Sequence, residues 1–249
     1  MFPRFSLLLL FVFGLSGLSY AQPTPFTHNF GHADDIRELH FSSDGQLMAS
    51  LGEDNCLQIR RTSDWRTVGI ASGVILPKIG RQHFSFAKSG NAMAMVTYQA
   101  GKIQLRVLNG IEQSEPIAVS TKKAVPPPYA LAAAGNHFYL ALENKVHVFD
   151  TRLSSHTSFD LPDALVNRTT ELNVTPDGQH LIATSAGLSN VLACFSLSDN
   201  SLVATTETEA KLLKSVVDNE KVITKEVDDN SRFYELPKLK GGKSFFSDY

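Results

Sequence analysis

Cysteine is scarce: Cys56 and Cys194 are the only two in 249 residues, too few for a fold held by disulfides. Stability must therefore come from an apolar core. Paired-Cys spacings, a His-Glu-x-x-His helix and a calcium loop are also missing, so no metal and no cofactor is expected. There is no Gly-x-Ser-x-Gly elbow and no Cys in an activating setting, which excludes the common nucleophilic hydrolases. Charge of one sign is absent as well. The 23 Lys and Arg nearly balance the 25 Asp and Glu, leaving a net charge of −2 and no basic stripe for nucleic acid. No window combines helical periodicity with caps at both ends.

Long apolar runs are missing after the first residues. Met1 to Arg4 is basic, Ser6 to Leu15 is apolar, and Ser16 to Ala21 supplies small residues. A membrane-spanning helix needs roughly 20 apolar residues, so this segment reads as a secretory signal peptide cut after Ala21. The expected location is secreted or periplasmic, with no stable membrane insertion after cleavage.

What the chain does have is a repeat. The turns Phe41-Ser-Ser-Asp-Gly45, Phe86-Ala-Lys-Ser-Gly90, Leu131-Ala-Ala-Ala-Gly135, Val174-Thr-Pro-Asp-Gly178 and, more weakly, Val217-Asp-Asn219 recur at steps of 41 to 45 residues. Two alternating strands follow each turn, such as Leu47 to Ser50 with Leu57 to Arg60, and Leu181 to Thr184 with Leu192 to Phe195. Short strands joined this way make antiparallel sheets that cannot bury both faces alone. Stacking them around an axis solves the problem. The expected fold is all-β: a propeller of about five four-stranded blades near residues 32–72, 79–121, 125–160, 167–206 and 210–247.

These residues resemble the WD-repeat family. Gly31-His32, Ser50, Asp54 and the Ser-Asp-Gly turn ending at Gly45 stand where that family places its motif. The Trp-Asp ending is replaced by Arg60-Arg61, and survives as Phe149-Asp150 and Tyr234-Glu235. The resemblance covers about residues 25 to 247 and is strongest at 31–61 and 170–197. It implies a hydrogen-bonded chain through His32, Ser50 and Asp54, with Arg60 donating to Asp54 or projecting to solvent. It also implies closure by an N-terminal strand, for which Phe26 to Phe30 is suited. Leu239 to Ser247 competes for the same edge. Five copies is fewer than the family's usual seven. A compact five-bladed ring, an open array and a chain that is a fragment or is completed by a partner all fit.

The functional expectation is a non-enzymatic module that presents propeller loops to a protein partner. Candidate loop residues are Asp34, Asp35, Arg37, Lys78, Arg81, Gln82 and Arg168. The enzymatic alternative is a glycosidase-like propeller, because Glu38 and Glu171 fall in one register, three residues before Phe41 and Val174. Asn167 begins a glycosylation sequon in an exposed connector and is usable if the host is eukaryotic. Asn173 begins another, but sits in a predicted inner strand. Pro126 to Tyr129 reads as a stiff connector, and His137 and His147 as surface residues. Cys194 aligns with the core position Ile59, while Cys56 lies three blades earlier, so two free thiols are expected.

Overall fold

In the computed structural model, the described residues are 31–42, 44–71, 83–87, 92–109, 112–113, 115–120, 128–185, 189–228 and 230–244. The signal segment, Phe26 to Phe30, Lys78, Arg81, Gln82 and Pro126 lie outside them.

Alternating strands separated by tight turns form meanders, and the chain repeats the meander five times. The first sheet comprises β1 (Ile36–Phe41), β2 (Leu47–Gly52), β3 (Leu57–Arg61) and β4 (Thr67–Ala71). In the second, β5 (Phe84–Phe86), β6 (Ala92–Gln99) and β7 (Lys102–Asn109) are followed by two short pieces, β8 (Glu112–Gln113) and β9 (Ile117–Ala118), which both pair with β7. The third sheet has β10 (Tyr129–Ala134), β11 (His137–Leu142), β12 (Lys145–Asp150) and β13 (His156–Asp160). The fourth has β14 (Glu171–Val174), β15 (His180–Thr184), β16 (Val191–Ser196) and β17 (Ser201–Glu207). The fifth has β18 (Leu212–Val217), β19 (Lys221–Glu226), β20 (Ser231–Glu235) and β21 (Lys240–Ser244). The C-terminal candidate thus fills the outer edge of the fifth sheet, where β21 pairs with β20. Helix is limited, among the described residues, to one 3₁₀ turn at Asp163–Leu165.

The repeated turn motif has a physical basis. In the first sheet Ser42 Oγ donates to Asp44 Oδ1 at 2.6 Å and accepts from Leu47 N at 2.9 Å. Thr175 repeats this, donating to Asp177 Oδ1 at 2.6 Å and accepting from His180 N at 3.0 Å. The Asp carboxylate then takes the N–H two residues on, from Gln46 or Gln179, at 3.0 Å in both. Gly45 and Gly178 follow with φ of 68° and 74°, the left-handed region that a side chain resists.

Strand alternation then decides the packing. Side chains of successive residues point to opposite faces, so β11 sends Phe138, Leu140 and Leu142 one way and Tyr139 and Ala141 the other. Four apolar clusters result. Leu51, Leu57 and Ile59 meet Phe84, Met93 and Met95 between the first two sheets. Ile103 and Leu105 meet Tyr129 and Phe138 between the next two. Tyr139 and Val146 meet Leu172 and Phe195, and Ile182 and Leu192 meet Leu212 and Val222. Burying each large side chain contributes roughly 1.5–3 kcal/mol, so these interfaces hold the sheets in sequence. The face of the first sheet turned away from the second is different. There Leu39, Phe41 and Ile70 are 45%, 53% and 57% exposed.

Candidate functional site

The innermost strand of each sheet begins at the same end of the array, and β1, β14 and β18 border one cavity there. It encloses about 610 Å³, and its lining includes Arg37, Glu38, His40, His83, Glu171 and Lys214.

Glu38 and Glu171 occupy this wall in matching positions, and each reaches across to the next sheet. Glu38 accepts the His83 backbone N–H at 3.0 Å and the His83 Nδ1 at 2.7 Å, while His40 Nε2 lies 3.0 Å from its other oxygen. Burial pushes the Glu38 carboxyl up, but the contacts from His40 and His83 outweigh it and hold the group below the usual range. Glu171 accepts from Ser215 N at 3.0 Å, Ser215 Oγ at 2.9 Å and Thr184 Oγ1 at 3.2 Å, all through Oε2. The donors Ser215 and His83 stand 44 and 45 residues beyond their acceptors, one repeat further along. Both carboxylates therefore act as stitches between consecutive inner strands. His83 is 5% exposed, and its Nε2 has no hydrogen-bond partner among the described residues.

The loops entering these strands carry the remaining expected residues. Asp34, Asp35 and Arg37 are exposed ahead of and at the start of β1, and Arg168 is exposed ahead of β14. Asp34 Oδ1 accepts the Asp35 N–H at 2.9 Å, and Arg37 Nε lies 3.8 Å from Glu53. Asn167, also exposed, has φ of 55° in the connector before β14. Asn173 lies in β14, where its Nδ2 donates to Ser215 Oγ at 2.9 Å.

Beside this end His32, Ser50 and Asp54 are brought together. His32 Nδ1 is 3.1 Å from Asp54 Oδ1, and its Nε2 is 2.8 Å from Ser50 Oγ. Asp54 also accepts the N–H groups of Ala33 and Cys56 at 2.8 and 3.0 Å. Burial raises the Asp54 carboxyl, and these hydrogen bonds more than reverse it. Arg60 departs from both expectations. It is 6% exposed, neither bonded to Asp54 nor projecting to solvent. Its guanidinium instead donates to Gln58 Oε1 at 3.1 Å and to the Trp65 carbonyl at 3.4 Å. The sheet register explains the difference: Arg60 pairs with Met48 in β3, a full hairpin away from the Asp54 turn.

Three contributors had no signal in the sequence. His83 and Ser215 precede or sit in inner strands without a motif. Gly52 faces the His32–Asp54 contact so closely that a Cβ there would collide with both side chains. Both cysteines are free; Cys194 is buried, and burial pushes its thiol up to about 12.

Five meander sheets joined face to face, with their inner strands bordering a cavity, define a β-propeller-like fold. No family model and no curated protein matches the sequence. Among solved structures, a chain of the mitotic checkpoint complex superposes with a TM-score of 0.63 at 12% identity, covering 84% of this chain and 64% of that one. Dihydro-heme d1 dehydrogenase NirN, in complex with DHE, gives a TM-score of 0.63 at 14% identity, covering 84% of this chain and 46% of that one. The chain spans less than two thirds of the length of either. Both show the fold alone.

Proposed function

We propose that the chain is an exported, non-enzymatic binding module of the WD-repeat type, whose propeller end presents charged loops to a protein partner. The observation that carries this reading is the division of labour at that end. Glu38 and Glu171 engage their carboxylates in hydrogen bonds that join sheets, while Asp34, Asp35, Arg37 and Arg168 stand exposed on the loops. Exposed charges on a rigid frame suit recognition, because little ordering is needed on binding. The His32–Ser50–Asp54 chain and the two Asp-Gly turns support the WD-type assignment. Among the described residues no helix is long and apolar enough to cross a membrane. Export rests on the first 21 residues of the sequence.

Two measurements test this. Mass spectrometry of the protein made in its host should find a mature chain beginning at Gln22; an intact Met1 would refute export. Exchanging Asp34, Asp35, Arg37 and Arg168 for Ala together should abolish capture of a defined extracytoplasmic partner. Unchanged capture would refute the loop assignment.

A second reading, glycoside hydrolysis, rests on one fact: Glu38 and Glu171 line the same cavity. It requires turnover of a glycoside by the unaltered protein that Glu38→Gln and Glu171→Gln each abolish. Absence of turnover by the unaltered protein would dismiss it.

A further inference from the structure

We propose that His147 and His156 form a two-imidazole site for a divalent transition-metal ion, Cu(II) foremost, at the outer edge of the third sheet. The residues come from neighbouring strands, β12 and β13. His147 is paired with Ser158 and Phe149 with His156, so the two imidazoles are diagonal neighbours on one sheet face. His147 Nδ1 lies 3.0 Å from His156 Nε2. His156 is exposed and stacks on Phe149, with ring centroids 4.5 Å apart and an interplanar angle of 7°. That stack fixes the plane of one imidazole, and the position of His147 on a central strand fixes the other.

The separation selects the metal. Two imidazole nitrogens at metal distances of about 2.0–2.1 Å subtend an angle of roughly 90° when they are 3.0 Å apart. That is the angle between neighbouring positions of a square or tetragonal field, the preference of Cu(II) and Ni(II). A tetrahedral Zn(II) site would need the nitrogens about 3.3 Å apart. Among divalent first-row ions, Cu(II) also binds nitrogen ligands most tightly. Each ring binds as the neutral tautomer, with its proton on the nitrogen turned away from the metal. No group of three or more His, Cys, Asp or Glu able to hold a metal occurs among the described residues, so water completes the coordination here. The site lies outside the cavity lined by Glu38 and Glu171 and does not depend on the binding role proposed above.

The experiment uses the full-length mature protein, untagged, titrated with copper sulfate and followed by electron paramagnetic resonance. One Cu(II) per chain with nitrogen hyperfine coupling is expected, together with retention on a Ni(II)-charged resin. His156→Phe keeps an aromatic ring against Phe149 and should weaken Cu(II) binding at least about tenfold. His147→Gln should do the same, the double variant should not be retained, and His137→Gln should behave as the unaltered protein. Circular dichroism checks that the variants are folded. Absence of Cu(II) binding by the unaltered protein would overturn the proposal, as would equal binding by the double variant.

Discussion

The buried acceptors at the cavity wall are the residues on which neighbouring inner strands depend. Glu171→Ala leaves the N–H and Oγ of Ser215 and the Oγ1 of Thr184 without their acceptor in a buried setting. An unsatisfied buried group costs about 1–3 kcal/mol, so the urea midpoint should fall by at least that equivalent. Glu38 adds a pH dependence of known sign. Burial opposes its ionisation, yet its contacts to His40 and His83 leave the folded-state value below the ordinary one. Its contribution is therefore present above the unfolded value and lost as pH falls through the folded value. Urea midpoints measured from neutral pH down to about pH 3 should show a steeper decline for the natural protein than for Glu38→Gln. At this scale the sequence was half legible. The shared register of Glu38 and Glu171 shows in the spacing, but their partners do not. His83 and Ser215 become partners only because one repeat of chain returns to the next inner strand, and no local pattern encodes that distance. His156 was missed for the same reason, since its pairing with Phe149 depends on the length of the turn between β12 and β13.

Elements were the most legible level, because turn chemistry and period-two alternation act locally. The turns at Gly45 and Gly178 combine a Ser or Thr, an Asp and a left-handed Gly, and all three are visible in the sequence. Gly178→Ala should lower stability by about 1–2 kcal/mol, since a Cβ resists the left-handed region, and thermal unfolding will measure it. No steric contact contributes, because nothing lies within 4 Å of a Cβ at that position. The fifth repeat looked weak for want of a glycine. Its turn is held instead by Asp218, whose Oδ1 accepts the N–H of Glu220 at 2.7 Å and of Lys221 at 2.6 Å. The split outer strand of the second sheet has a local cause as well. Pro116 stands between β8 and β9 and has no N–H to give to the ladder.

Across the whole molecule, the second, third and fourth sheets each have two packed faces, and the described clusters give the first and fifth one each. Opening free energy should follow that order. In native-state hydrogen exchange, β11 and β15 should be the slowest, and β2 and β19 should exchange earlier. Equal protection of β2 and β11 would instead indicate a seam packed as tightly as the interior interfaces. The fold class was readable from the repeat, because five copies of one hairpin pattern leave few other ways to bury their faces. The seam was not, because it depends on contacts between the two ends of the array.

Each sheet is built from one uninterrupted stretch of chain, down to β21 at the edge of the fifth. Among the described strands none is borrowed from a distant repeat, so the gene is a string of cassettes. A nascent chain leaving a ribosome or an export channel can finish one sheet as its last strand emerges. Each finished sheet then offers an apolar face as the template for its successor, and assembly proceeds in the order of synthesis. The same independence lets a repeat be duplicated or deleted in frame without unpicking the hydrogen-bond ladders of its neighbours.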